Sequence, residues 1–253
     1  MSKYEKGLVS IIIPTATRSK VASLKTFLKK QYLLQDAVRD IKCNVVHPHE
    51  TIVICNSSDD AALVSFIQAS RDIDKYSLNS IGVGVPRGWN MGAQMAEGEF
   101  LCFSSDDVEI GRGAIEQMAE VLSRPLVGEV GPMGGRWFRR TPGRRVGLDK
   151  IEEADEISGW LFMITRDAFD RVGGFDVFYT PGLCEEIDIS FALRNAGYKC
   201  LVIPGLSAWH HQVSGMSATN TAIQCLHITI TRDVLTDRNH EYFEQKWASF
   251  WKD

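Results

Sequence analysis

The run Phe100-Leu101-Cys102-Phe103-Ser104-Ser105-Asp106-Asp107-Val108-Glu109-Ile110 passes from apolar residues directly into two adjacent carboxylates. Residues 100–103 are apolar on both faces, the pattern of a short strand buried in a parallel sheet with helices on either side. Two acids just past such a strand stand where ligands gather in open α/β sheets, beyond the carboxyl ends of the strands. Side by side, they repel one another unless a cation or hydrogen-bond donors offset the charge. A divalent metal does this and keeps positions open for phosphate oxygens. In isolation the pair reads instead as a polar turn capping a helix that begins near Gly113, because Asp is a routine turn residue.

Similar β-rich apolar runs precede it at 8–13, 51–55 and 81–85, and helical patterns occupy 21–34, 59–69, 89–96 and 113–122. This alternation predicts an α/β fold with a mostly parallel central sheet. After Pro125 the chain is rich in Gly and Arg and loses its period, which predicts a long loop over 139–156. A strand at 158–165, a helix at 166–172, a helix at 185–196 ended by Gly197, and a strand at 198–203 ended by Pro204 follow. Residues 221–251 read as an amphipathic helical tail. We therefore expect a single domain over 1–253, with a donor half (1–110), an acceptor half (111–220, with a small antiparallel element) and the tail.

The chain has 253 residues and a formal net charge of −4, which gives no basic face for nucleic acid. Its six cysteines form no C-x-x-C pair and several sit in apolar runs, so they read as reduced, buried thiols of a cytoplasmic protein. The apolar stretch at 8–13 is too short for a signal peptide, and no run approaches the roughly 20 apolar residues of a spanning helix. Membrane contact is expected to be peripheral.

A second acidic group, Glu185, Glu186 and Asp188, falls in the first turn of the helix at 185–196. Negative charge there interacts well with the exposed amide dipoles, which by itself accounts for the acids.

Taken in order, three sets of residues resemble the family 2 nucleotide-sugar glycosyltransferases of the GT-A fold, in their inverting, rhamnosyltransferase-like branch. VSIIIPTATRS is similar to that family's first strand and donor loop. Arg87-Gly88-Trp89-Asn90-Met91-Gly92 ahead of GEFLCFSSDDVEI is similar to its R/N-x-G element and D-x-D motif. GWLFMITRDAFDRVGGFD, CEEIDISFALRNAGYKCLVIP and AWHHQVSGMS are similar to its acceptor half.

The resemblance implies a role for each matching residue. Asp107 would ligate a divalent metal, Mn2+ or Mg2+, and Asp106 would meet the ribose or the metal shell. Ser105 stands where a first carboxylate is usual. His210 or His211 would complete the coordination, His210 being preferred. Pro14, Thr15 and Arg18 would line the nucleotide pocket, with Asn56 and Ser58 on the second donor loop. Cys55 replaces an acid that commonly grips the base. Arg87 would reach the base or diphosphate, with Asn90 in the same element. Glu186 takes the general-base position, with Glu185 its rival and Asp188 completing the motif.

The implied activity is metal-dependent, inverting transfer from a nucleotide diphosphate sugar, by preference a UDP-sugar, to a hydroxyl of a glycan, protein or lipid-linked acceptor. Two alternatives stand beside it. A nucleotidyltransferase also wants a carboxylate-bound metal, although its usual glycine-rich, basic first loop is not evident in PTATRSK. A non-catalytic module binding sugar nucleotides agrees with the departures at Ser105, Cys55 and Glu186. Arg139, Arg140, Arg144 and Arg145 form a lid, an anion-binding patch or a solvated loop. Trp160 and Trp209 stack on sugar or base, or pack as pocket wall. The KWASFW ending carries no assigned chemistry, and the oligomeric state is left open.

Overall fold

The structure is a computed structural model that describes residues 4–16, 32–212 and 222–251. Strands β1 (Glu5–Thr15), β2 (His49–Cys55), β3 (Lys75–Leu78) and β4 (Gly98–Ser104) run parallel in the spatial order β3-β2-β1-β4. Helices α1 (Leu34–Asn44), α2 (Ala61–Ala69) and α3 (Val85–Met95) lie between them in sequence, and α4 (Ala114–Leu122) follows the short strand β5 (Val108–Ile110).

Five more elements give the second half its sheets: β6 (Val127–Gly131), β7 (Gly134–Phe138), β8 (Thr141–Arg145), β9 (Glu152–Glu153) and β10 (Glu156–Ile157). Then come β11 (Leu161–Thr165), α5 (Arg166–Val172), α6 (Glu185–Asn195), β12 (Lys199–Val202) and β13 (Ala208–His210). A hairpin of β14 (Ile223–Cys225) and β15 (Ile228–Ile230) leads into α7 (Arg232–Lys246). The main sheet continues past β4 as β11-β6-β12-β9, with β11 antiparallel to both of its neighbours and β6 parallel to β12. Strands from both halves thus share one eight-stranded sheet.

Alternation along β1 sends its residues to two cores. Val9, Ile11 and Ile13 pack with α1 and α4, while Ile12 packs with Trp89 and Ala93 of α3 and with Leu101 and Phe103 of β4. Each buried aliphatic side chain contributes about 1.5–3 kcal/mol. At Gly92 the helix lies so close to the sheet that an added Cβ would strike the side chain of Ile12. Gly92→Ala is therefore expected to lower the unfolding free energy by about 1–3 kcal/mol, read as a lower urea midpoint with an unchanged slope.

Several expectations are corrected. Residues 81–85 form no strand: Gly84 turns the chain at φ 81°, Pro86 lies in the first turn of α3, and the edge strand is the more polar Lys75–Leu78. An added Cβ on Gly84 would lie 2.8 Å from Pro181 Cα, so glycine there also lets two loops meet. The loop expected at 139–156 contains β8, paired with β7, and then β9 and β10. Its arginines bond acids: Arg140 pairs with Glu244 at 2.6 Å and Arg144 with Glu152 at 3.0 Å. The tail begins as the 223–230 hairpin and turns helical only at Arg232. The helix expected at 21–34 falls mostly outside the described residues. All six cysteines are free, and only Cys43 is exposed.

Candidate active site

β5 leaves the end of β4 and pairs antiparallel with β13, placing His210 opposite Val108 and beside Asp107. His210 Nε2 lies 3.2 Å from Asp107 Oδ1, although 103 positions separate them in the chain. Asp107 is 5% exposed. The Trp160 ring stacks on the imidazole of His210, with centroids 5.6 Å apart and planes within 6°. Successive residues of a strand point to opposite sides, so His211 turns away. Its ring meets Glu109 Oε2 at 3.0 Å and stacks on Tyr32 at 4.2 Å, while its backbone N–H donates to the Asp107 carbonyl. Of the two histidines, only His210 is aimed at the aspartate.

Two donors each about 2.1 Å from one ion and at right angles lie about 3 Å apart, close to the observed separation. A carboxylate and an imidazole also form a donor set that accepts manganese-like ions. Among the described residues no group of three His, Cys, Asp or Glu side chains gathers. Asp106 points elsewhere, its Oδ2 accepting from Thr15 Oγ1 at 2.6 Å. The Ser105 N–H donates to the Trp160 carbonyl, fixing the 158–160 segment against the acids.

The other donor-side residues divide. Thr15 is buried and holds Asp106; Pro14 packs near Gly88. The Asn56 N–H donates to the Thr15 carbonyl, and Asn56 Oδ1 accepts from the Val83 N–H at 3.0 Å, so its side chain braces two loops. The Ser58 N–H is tied to the Asn79 carbonyl. Asp60 caps α2 by accepting from Ala62 and Leu63. Arg87 is half-buried, with Nε lacking a protein partner, and its charge reaches Cys225 of the late hairpin. Asn90 bonds both the N–H and the carbonyl of Phe175, at 2.9 and 2.8 Å, bracketing α3 to the 173–175 turn. Arg18 lies outside the described residues.

Glu185 and Glu186 open α6 directly after Leu183 and Cys184, two non-glycine residues in left-handed conformation (φ 74° and 75°). Such backbone costs on the order of 1–2 kcal/mol per residue and persists only where the surroundings enforce it. Glu186 is half-buried and lies along Gly159, where an added Cβ would sit 3.0 Å from Glu186 Cγ. Gly159 and Trp160 are consecutive, so one segment touches both an acid of α6 and the imidazole of His210. Glu185 is buried, and its Oε2 has no protein partner. Burial raises both carboxyls, and the Glu186 charge raises Glu185 further, well above the usual carboxylate range. Amides of the first turn pull Glu186 back down.

Asp188 does not join them. Its oxygens accept from Tyr179 Oη (3.0 Å), Lys246 Nζ (2.8 Å) and Trp247 Nε1 (2.8 Å), which makes it the anchor of the C-terminal helix. The same helix grips the loop ahead of the acids. Asn239, fully buried, donates to the carbonyls of Gly182 (2.9 Å) and Leu183 (2.7 Å), and Arg238 donates to those of Phe178 and Thr180. Sequence reasoning missed this clamp, because Asn and Arg on a polar helix give no signal before the fold places them. Asn239→Ala is expected to cost about 1–3 kcal/mol per carbonyl left unpaired, seen as a lower melting temperature, and to lower kcat more than donor affinity.

Beside His210 lies a cavity of about 400 Å³ whose walls include Met133, Arg145, Leu148, Trp160 and Trp209. Trp209 is 65% exposed, an unusual position for a large aromatic ring. A larger cavity of about 670 Å³ lies at the amino ends of the parallel strands near Lys6, His47 and Glu116, away from Asp107 and His210.

No family model matches the chain. It is 23% identical over 173 residues to an N-acetylglucosaminyl-diphospho-decaprenol L-rhamnosyltransferase of Mycobacterium tuberculosis, covering 56% of each chain. It is 34% identical over 115 residues to a GalNAc(5)-diNAcBac-PP-undecaprenol beta-1,3-glucosyltransferase of Campylobacter jejuni, covering 44% of this chain and 33% of that one. Among solved structures it matches GalNAc-T7 with UDP, GalNAc and Mn2+ at a TM-score of 0.64 and 18% identity, over 78% of this chain and 42% of that one. The chain has a GT-A fold. A mannosyltransferase from Pyrobaculum calidifontis in complex with GDP-Man and Mn2+ shares it, at a TM-score of 0.58 and 16% identity, over 78% of this chain and 55% of that one. The chain spans about half the length, or less, of these curated relatives. The GT-A frame puts Asp107 and His210 beyond the carboxyl end of β4, where an open α/β sheet gathers its ligands.

Proposed function

We propose that the protein is a metal-dependent inverting glycosyltransferase that moves a sugar from a nucleotide diphosphate sugar, by preference a UDP-sugar, to an acceptor hydroxyl. The observation that carries this reading is the 3.2 Å approach of His210 to Asp107. The curated relatives are named as glycosyltransferases, and the two structural neighbours hold a nucleotide or nucleotide sugar with Mn2+.

Asp107 and His210 would hold the divalent cation, which supplies Lewis-acid stabilisation of the charge growing on the leaving diphosphate. Trp160 keeps the imidazole in its plane, and Thr15 keeps Asp106 turned to the first donor loop. Glu186 accepts the acceptor's hydroxyl proton as that oxygen bonds the anomeric carbon and the sugar–phosphate bond breaks. A positioned carboxylate contributes about 10² to 10⁴ in rate. Attack from the face opposite the diphosphate inverts the anomeric centre. Glu186 suits the base role better than Glu185 because it is only half-buried and lies along Gly159, whereas Glu185 is buried.

The cavity beside His210 would seat the acceptor. Its aromatic walls suit a sugar face, and Arg145 with the exposed Leu148 suits an anionic linkage to an apolar chain. The names of both curated relatives carry a polyprenyl diphosphate, so a lipid-linked acceptor is the class proposed. Among the described residues no helix is long and apolar enough to cross a membrane, and contact with such an acceptor would be peripheral.

A panel of UDP-, GDP- and dTDP-sugars, each with Mn2+ or with EDTA, tests this by thermal shift and nucleoside diphosphate release. One UDP-sugar should raise the melting temperature and be consumed only with metal. A response confined to GDP or dTDP donors overturns the uridine assignment. Binding without turnover, or no response at all, overturns the enzymatic reading.

A further inference from the structure

We infer that Glu129, in the interior of β6, is a positioning residue for the acid pair of α6: it keeps its proton and, through Ser190, holds the backbone carbonyl of Glu186. The inference deepens the reading of Glu186 as the base and rests on it.

Glu129 and Ser190 are both 0% exposed. Ser190 lies one turn beyond Glu186, with its Oγ 2.7 Å from Glu129 Oε2 and 3.0 Å from the Glu186 carbonyl oxygen. Ser190 Oγ also accepts the Ile157 N–H at 3.2 Å. One hydroxyl hydrogen cannot serve two acceptors. If Glu129 were ionised, Ser190 would donate either to it or to Glu186, and a charge would stand buried in the core. A protonated Glu129 resolves both problems. Its O–H donates to Ser190 Oγ, the Ser190 hydrogen is released to the Glu186 carbonyl, and both lone pairs of Oγ are used. Glu129 Oε1 has no protein partner, which a neutral acid tolerates far better than a carboxylate.

The surrounding charges agree. Burial, with Glu156 of β10 and Glu186 of α6, pushes Glu129 up to about 8, against opposing bonds from Ser190 and the Cys200 thiol of β12. Burial and the charges of Glu186 and Asp155 push Glu156 itself to about 7, while Arg145 pulls it down. Arg194 and Glu153 face Cys200 from the same layer. At neutral pH, then, Glu129 is mostly protonated and Glu156 about half so. Ionising Glu129 draws the Ser190 hydrogen away from the Glu186 carbonyl and sets a charge behind the base.

The test is carboxyl NMR of protein labelled with ¹³C-glutamate, needing neither donor nor acceptor. In the wild type, the resonance missing from Glu129→Gln should titrate near pH 8. The resonance missing from Glu186→Gln should show a second inflection at the same pH, absent from Glu129→Gln. Ser190→Ala should shrink that inflection and move the Glu129 midpoint upward; it carries the test if Glu129→Gln does not fold. The inference is overturned by a Glu129 midpoint in the ordinary range near 4.5, by a Glu186 inflection that survives in Glu129→Gln, or by one unchanged in Ser190→Ala. Nucleoside diphosphate release is scored separately: the wild type should lose kcat above about pH 8, and Glu129→Gln should retain it. If the wild type consumes no nucleotide sugar, the enzymatic reading fails while the resonances still decide the role of Glu129.

Discussion

Replacing Asp107 with asparagine should reduce nucleoside diphosphate release by about 10³-fold or more, the scale of losing a preorganised electrostatic contact at a developing charge. Asparagine keeps the volume and leaves an amide oxygen facing His210. The fold should therefore survive, with circular dichroism and a melting temperature within a few degrees of the wild type. What is lost is the anionic donor, so the Mn2+-dependent part of the donor-induced thermal shift should vanish with turnover. An Asp107→Asn protein that turned over with unchanged metal dependence would show that the 3.2 Å pair is only a structural contact. His210→Ala should behave in the same direction, whereas His211→Ala, whose ring is engaged with Glu109 and Tyr32, should leave metal dependence unaltered.

The second large effect falls on the acid pair. Glu186→Gln should lower kcat by about 10² to 10⁴ with donor affinity retained, while Glu185→Gln should remain within a few-fold of the wild type. The pH dependence follows from the direction of the shifts. Both carboxyls are raised above the usual 4.5, and a base must be ionised to act, so the acid limb of kcat should lie above the ordinary carboxylate range. Stability runs the other way. A carboxyl with a raised folded-state pKa binds its proton more tightly when folded, so its contribution is fully present below about pH 4.5 and is lost as pH rises through the folded value. Glu185→Gln should therefore melt increasingly above the wild type as pH rises from 4.5 toward neutrality. Equal kcat losses in the two variants would mean that the acids act as one unit.

Much of this arrangement was legible in the chain. FLCFSSDDVEI reads correctly as a buried strand ending in acids, because burial on both faces leaves a continuous apolar run. The first-turn position of Glu185 and Glu186 is likewise readable from the helical span that Gly197 closes. What the sequence hides depends on contacts distant along the chain. The β7–β8 hairpin shows no apolar alternation, since Gly134 and Gly135 pack by backbone against Glu156 and Arg144 and the arginines of β8 face solvent. Residues 81–85 look like a strand because Ile81, Val83 and Val85 alternate with glycine, yet those glycines serve as turn and loop contacts. Asn90 and Asp188 stand at motif positions, but which groups they meet is decided by Phe175, Tyr179, Lys246 and Trp247, and no local pattern announces those partners.

Residues 232–247 complete the grip on the segment ahead of Glu186, and they leave the ribosome after every strand of the main sheet. During synthesis, the strands of that sheet can assemble while the loop ahead of Glu186 is still unheld. Protein truncated after residue 231 should accordingly bind donor, detected by calorimetry, yet hydrolyse or transfer almost none of it; full turnover from that fragment would show that residues 232–247 are dispensable.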